Sequence, residues 1–227
     1  MGAEFWKFYD KIYAGKDYDA EVAIILPLLG NAKTLLEIGC GTGEHTKRFA
    51  PHFAGMLAVD MDEGAIEVAR KKRPHNAILV HSRVEDLTAR GFSSAIALFN
   101  VVHYQPTAFW LNGFMQAVAR RLQPGSAFVF DCWNWDAVKN DPPREEHRDC
   151  MRLVPIIDDQ ERTVEVTMEF NEGPYCGIPL QRMRHKIWTI QELTAALTAA
   201  GFVDICVAPW MRPAVAATAA DWKIMFI

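Results

Sequence analysis

The 227 residues suffice for one domain with a sizeable core, about 150 residues being typical of a domain, and a composition of 50% hydrophobic and 23% charged residues excludes a largely disordered chain. Lys plus Arg number 24 against 28 Asp plus Glu, a formal charge of -4 that offers neither nucleic acid nor an anionic membrane a general attraction. A small-molecule partner is therefore expected. The cysteines, Cys40, Cys132, Cys150, Cys176 and Cys206, are widely spaced without a C-x-x-C pair, against both a disulfide framework and a zinc site. The first residues lack an apolar signal core, and no run approaches the roughly 18 apolar residues of a membrane span, so the expectation is a cytoplasmic protein.

In chain order, residues 17–30 carry Val22, Ile25, Leu26 and Leu29 at helical spacing, with Pro27 bending the helix and Gly30-Asn31 stopping it. Residues 34–38 form a short apolar run entering a glycine-rich turn, as a buried strand does. A second strand is predicted at 56–60, a helix at 62–72, strands at 77–81 and 95–99, and a helix at 107–122 with Trp110, Phe114, Val118 and Leu122 on one face. Gln123-Pro124-Gly125 should end that helix before a fifth strand at 127–131. Such alternation specifies a parallel sheet covered by helices.

The pattern changes after Asp131. Residues 163–170 and 182–187 alternate polar and apolar, as strands with one solvated face do, and together with 152–157 they predict an antiparallel insertion. A capping box, Thr189 with Glu192, opens a helix that Gly201 closes, and the last predicted strands are 202–207 and 222–227.

Residues 37–43 read Glu-Ile-Gly-Cys-Gly-Thr-Gly, so the chain can turn sharply after the first strand and bring backbone N–H groups close to a ligand. The G-x-G-x-x-G spacing of dinucleotide sites is absent, and Glu44, in place of its third glycine, is expected to repel a pyrophosphate. Asp60 ends the second strand 21 residues after Gly39, where a carboxylate can accept hydrogen bonds from both hydroxyls of an adenosine ribose. A structural corner at the glycines and a helix cap at Asp60 are the bland alternatives.

Together these residues resemble the class I S-adenosylmethionine-dependent methyltransferases. Their first motif looks like E-x-G-x-G-x-G, matched by Glu37, Gly39, Gly41 and Gly43, and their second places an acidic residue like Asp60 on the ribose. The resemblance implies an α/β, doubly wound, Rossmann-like fold with a seven-stranded, mostly parallel sheet and an antiparallel β insertion. It implies that the 39–43 backbone, Cys40 included, wraps the methionine part of the cofactor, that Asn100 contacts that part, and that Met61 packs on the adenine. Arg83 stands where the family often has an aspartate for the adenine amine, and that role passes to the Val84 backbone and Glu85. Tyr9, Asp10, Ile12, Tyr13, Lys16, Asp17 and Tyr18 are similar to the lid segment of deoxyaminosugar N-methyltransferases, which implies that Tyr9, Tyr13 and Tyr18 close over the cofactor. Residues 98–105 and 130–135 resemble a bacterial subset acting on small molecules of sugar, surface-glycan and antibiotic pathways.

The implied activity is transfer of a methyl group from S-adenosylmethionine, leaving S-adenosylhomocysteine, to O or N of a small polar acceptor such as a sugar or sugar nucleotide. Its rival is a non-catalytic S-adenosylmethionine-binding regulatory or scaffold protein. His103, just past the fourth strand, is the candidate general base, since an imidazole has an ordinary pKa of about 6.5, with a merely orienting or capping role as the alternative. On the acceptor side Tyr104 follows it, and Trp133 and Trp135 would share one face of an extended chain, where a sugar could stack or the rings could simply be core. Arg182, Arg184 and Lys186 could hold a diphosphate, but Glu165 and Glu169 on the neighbouring strand favour cross-strand ion pairs. Arg70-Lys71-Lys72-Arg73 reads as the solvated end of a helix.

The chain thus reads as one domain, 1–227, with N-terminal lid helices at 1–30, a cofactor-binding core at 31–139, a β insertion capping the acceptor at 140–188, and the last helix and strands at 189–227. The insertion is expected to roof the acceptor site or to pair two subunits into a homodimer. No metal, nucleic acid or membrane partner is expected.

Overall fold

The computed structural model describes residues 3–72, 74–148, 151–170 and 178–227; Arg73, Cys150 and Cys176 lie outside them. Five strands run parallel: β1 (Thr34–Ile38), β2 (Gly55–Asp60), β3 (Ala77–His81), β4 (Phe92–Ala97) and β5 (Leu122–Trp133). A smaller antiparallel sheet follows, in the order β6 (Glu146–Arg148), β7 (Met151–Asp158), β8 (Thr163–Phe170) and β9 (Gln181–Lys186). The chain then returns to the first sheet, where β11 (Lys223–Phe226) pairs antiparallel with β5, and β10 (Val207–Pro209) antiparallel with β11. The resulting order is β10-β11-β5-β4-β1-β2-β3, seven strands in all.

The helices are α1 (Ala3–Ile12), α2 (Tyr18–Ile25), α3 (Glu44–Phe49), α4 (Glu63–Lys71), α5 (Ala108–Arg121), α6 (Trp135–Val138) and α7 (Ile190–Ala199). Side chains alternate along a strand, so β1 sends Leu35 to one face, among Val22, Ile25, Phe49 and Ile66, and Leu36 and Ile38 to the other, among Phe114, Val118 and Leu197. Helices as short as α2, with 8 residues, and α3, with 6, are marginal alone, and this burial rather than helix propensity holds them. No helix among the described residues is long and apolar enough to cross a membrane.

Several element ends differ from the expectation, each for a local reason. β4 stops at Ala97 because Phe99 and Asn100 take left-handed backbone, with φ of 71° and 64°. β5 begins directly after α5, and Gln123-Pro124-Gly125 forms an irregularity inside it, where the register with β4 shifts between Phe92 and Ser94. No strand spans 202–207: Asp204 has φ of 54°, and pairing begins at Cys206, which exchanges backbone hydrogen bonds of 2.9 Å with Ile227. Lys72 does not face solvent at the end of α4; its ammonium bridges Asp10 at 2.7 Å and Glu44 at 2.6 Å.

Candidate active site

β1 lies between β2 and β4, so connections leave its carboxyl end in opposite directions and open the crevice in which open α/β sheets bind ligands. A cavity of about 1350 Å3 occupies that position. A single small molecule ordinarily takes about 300–1,000 Å3, so two reactants fit.

The floor is set by backbone geometry. Gly39 has φ of +71°, and a Cβ there would lie 2.4 Å from Val101 Cγ2, so only glycine allows the turn to pass this close. The Gly41 N–H donates to Asp60 Oδ2 at 2.8 Å and the Asp62 N–H to Oδ1 at 2.9 Å. Asp62, not Asp60, caps α4, accepting the Gly64 N–H at 3.0 Å. Asp60 is thereby aimed from behind while each oxygen keeps acceptor capacity toward the cavity it lines. Burial pushes its pKa up, in spite of the two N–H donors. Beside it Met61 is 61% exposed, an apolar surface on which a flat ring could lie, and Val84 and Glu85 continue the wall.

After β4, the left-handed Phe99-Asn100 step turns the chain along the cavity, and Asp131 Oδ1 accepts the Phe99 N–H to hold it. Asn100 Oδ1 and Gln105 Oε1 are buried at the cavity wall without partners among the described residues, two acceptors that a bound ammonium or hydroxyl would satisfy. Tyr9 of α1 and Tyr13 just after it line the cavity with rings 4.7 Å apart, and Tyr13 is edge-on to Phe99 at 5.1 Å. Asp10 accepts from the Thr42 hydroxyl at 2.5 Å and so ties this helix to the glycine turn.

Of the residues expected from sequence, the cavity wall gathers Tyr9, Tyr13, Gly39, Gly41, Asp60, Met61, Val84, Glu85, Asn100, Tyr104 and Trp133. Glu37, Cys40 and Gly43 stand behind it. Glu37 is buried and accepts the Thr46 hydroxyl at 2.5 Å; burial pushes its pKa up to about 8. Gly43 sits at the start of α3, where a Cβ would come within 3.1 Å of Ala69 Cβ.

Five expectations are corrected. Tyr18 cannot close over a cofactor: as the first residue of α2 it turns inward, edge-on to His45 at 4.9 Å, with Lys16 above its ring. Trp135 does not share an extended face with Trp133, because Asn134 ends the extended chain and caps α6; Trp135 is buried with Val138, Val164 and Ile187, a cluster against which Trp133 also packs. Glu44 does not confront a pyrophosphate: it is absent from the cavity wall, and although burial alone would raise its pKa, hydrogen bonds from Lys47, Lys72 and Arg48 hold it down at about 2. Arg182 and Arg184 do not form the expected cross-strand pairs; Glu169 pairs with Arg152 at 3.0 Å, and among the described residues both arginines lack a carboxylate partner and line the cavity.

The fifth concerns His103. It is 1% exposed and absent from the cavity wall. Its Nδ1 lies 2.8 Å from the Lys186 carbonyl and its Nε2 accepts the Trp133 N–H at 2.8 Å. Both nitrogens are committed, so Nδ1 carries the proton and no lone pair is left for an acceptor. Burial, then neighbouring His185, push its pKa down to about 3. It is a strut joining β5 to β9, not a base.

The structure also adds wall residues that sequence reasoning did not single out. Lys16 reaches the cavity while its ammonium contacts buried Glu21, which also meets His45 Nε2 at 2.7 Å. Lys223 pairs with buried Asp131 at 2.9 Å beneath the same wall. His185 could have been found, because strand alternation puts it on the buried side of β9 with Met183; nothing local marks Lys223. Among the described residues no cluster of three His, Cys, Asp or Glu is placed to hold a metal ion.

Residues 35–125 match the family described as methyltransferase domain. A Streptomyces venezuelae dTDP-3-amino-3,4,6-trideoxy-alpha-D-glucopyranose N,N-dimethyltransferase is 33% identical over 132 residues, 55% of either chain. The chain spans about half the length of the curated relatives it matches. Among solved structures, an S-adenosylmethionine-dependent methyltransferase from Clostridium acetobutylicum superposes with a TM-score of 0.81 at 18% identity, covering 98% of this chain and 96% of that one. DesVI from Streptomyces venezuelae superposes with a TM-score of 0.69 at 23% identity, covering 97% of each chain. Residues 35–125 thus match a methyltransferase domain, and the chain shares the fold of these solved methyltransferases.

Proposed function

We propose that this protein transfers a methyl group from S-adenosylmethionine to the amino group of a nucleotide-linked deoxysugar. The observation that carries the reading is one continuous cavity reaching from Asp60 and Met61 at the sheet edge to Trp133, Arg182 and Arg184 beside the second sheet. The N-methylated amino sugar in the relative's name supports the acceptor class.

Bound S-adenosylmethionine supplies a methyl group on a sulfonium, released to a nucleophile lined up behind it. Asp60 accepts the ribose hydroxyls, Met61 covers the adenine, and the Val84 backbone and Glu85 border it. Asn100 Oδ1, orphaned in the wall, accepts from the methionine ammonium, and Lys16 stands near to meet the carboxylate. On the other side Trp133 and Tyr104 face the sugar. The second sheet, within 146–186, caps that side with the apolar row Leu153, Pro155, Val166, Met168 and Met183. It excludes water, so positioning and dry surroundings do most of the work. Calorimetric titration with S-adenosylhomocysteine and with NAD tests the donor side: binding of the first and not the second is expected, and the reverse overturns the reading.

A further inference from the structure

His185 is 6% exposed yet forms part of the cavity wall. Register explains its place. It lies opposite Val164 on β8 and two residues beyond Met183, so it extends the inward row of the second sheet, in which β9 also contributes the polar Gln181. Aromatic rings fix it on three sides: Tyr104 at 5.2 Å, Trp133 at 5.3 Å and His103 at 6.1 Å between centroids.

None of these neighbours hydrogen-bonds it, and Nδ1 is sealed from solvent without a partner among the described residues. Burial pushes its pKa down to about 4, so the ring is neutral at ordinary pH and carries one proton. A sealed N–H with nothing to donate to is rarer and costlier than a sealed lone pair. The proton therefore belongs on Nε2, the nitrogen left to face the cavity. His103, in ring contact, holds the opposite tautomer, since its Nδ1 donates to Lys186 and its Nε2 accepts from Trp133. Two adjacent imidazoles thus do different work, one bracing strands and one presenting a donor in an aromatic box.

We propose that His185 determines acceptor specificity by donating a hydrogen bond from Nε2–H to an oxygen of the acceptor, beside a sugar ring packed on Trp133. The inference rests on the methyl-transfer reading and adds the group that recognises the acceptor. An oxygen could come from a sugar hydroxyl or from a phosphoryl group, and both suit a neutral N–H donor.

The test uses the full chain loaded with S-adenosylhomocysteine, titrated calorimetrically with thymidine diphosphate and with thymidine-diphosphate glucose. His185→Ala and His185→Phe should weaken binding of the sugar nucleotide by about threefold to tenfold, as loss of one neutral hydrogen bond does. His185→Gln, whose carboxamide can still donate, should recover much of it. Unchanged binding of thymidine diphosphate in the variants assigns the contact to the sugar; equal weakening of both ligands assigns it to the phosphoryl group and equally supports the donor role. Equal binding by wild type and all three variants overturns the proposal alone. Failure of the wild type to bind either nucleotide overturns the acceptor class, and this inference with it. Nitrogen NMR of histidine-labelled protein gives a readout free of folding losses in the variants: an Nε2-protonated His185 is expected, and an Nδ1-protonated ring contradicts the assignment.

Discussion

The imidazole of His103 accepts the Trp133 backbone N–H through Nε2 at 2.8 Å, and so holds the end of β5 against the cavity. Replacing His103 by Ala strands that N–H and the Lys186 carbonyl. Each buried orphan costs about 1–3 kcal/mol, so a stability loss of about 2–6 kcal/mol is expected by denaturant titration. The pH dependence has a definite sign. The folded pKa of about 3 lies below the ordinary 6.5, so the unfolded chain binds the proton first and this site's stability is lost as pH falls through that window. His103→Gln should lose less stability between pH 7 and pH 5 than the wild type does; identical slopes would show that His103 is not held neutral.

Gly39 and Gly41 both have positive φ but differ in what surrounds them. A Cβ at Gly39 collides with Val101, whereas one at Gly41 meets nothing within 4 Å. Gly39→Ala should therefore cost more stability than Gly41→Ala, which carries only backbone strain of about 1–2 kcal/mol. Thermal unfolding of the two variants compares them directly, and equal melting temperatures would contradict the close approach.

Asp60→Ala should weaken S-adenosylhomocysteine binding more than tenfold, since two charge-assisted hydrogen bonds are worth about 1.5–3 kcal/mol each. Asp62→Ala is the control. It removes the α4 cap, worth about 1 kcal/mol of stability, and should leave affinity nearly unchanged. Calorimetry that ranks the two variants the other way would misassign the ribose contact.

Glu37 supplies a second pH signature. Its folded pKa of about 8 exceeds the ordinary 4.5, so between these values the folded chain retains a proton that the unfolded chain has lost. Stability from this site is present below the lower value and is lost as pH rises, on the order of 1.4 kcal/mol per pH unit within the window. Glu37→Gln should flatten the fall in stability between pH 6 and pH 8. A variant as steep as the wild type would place the charge elsewhere.

The alternation of strands and helices was legible because a buried apolar run and a helical pattern are each written into a single segment, as in 34–38 and 108–121. The antiparallel sheet was legible from a local pattern too, in Thr163–Phe170, whose polar and apolar residue types alternate throughout, although Thr163 and Thr167 are buried. Element ends were less so. β4 ends early because Phe99 and Asn100 enter left-handed backbone, held from Asp131 on another strand, and no local signal announces that bond. The floor of the site was readable because glycines and an acidic strand end are fixed by local backbone needs. His103 was misread because its neighbours in sequence place it at a strand end, while the partners that consume its nitrogens come from 30 and 83 residues away. Arg182 and Arg184 were misread because cross-strand register brings Glu165 opposite Arg184 without requiring the side chains to meet.

The central claim is that one cavity holds donor and acceptor for methyl transfer, and the direct measurement is product analysis. The protein is incubated with methyl-labelled S-adenosylmethionine and a thymidine-diphosphate-linked 3-amino deoxysugar, with the hydroxyl sugar nucleotide as comparison, and products are read by mass spectrometry. The account predicts label on the amino nitrogen and S-adenosylhomocysteine formed in equal amount. Tight binding of S-adenosylmethionine with no S-adenosylhomocysteine from either acceptor would contradict it.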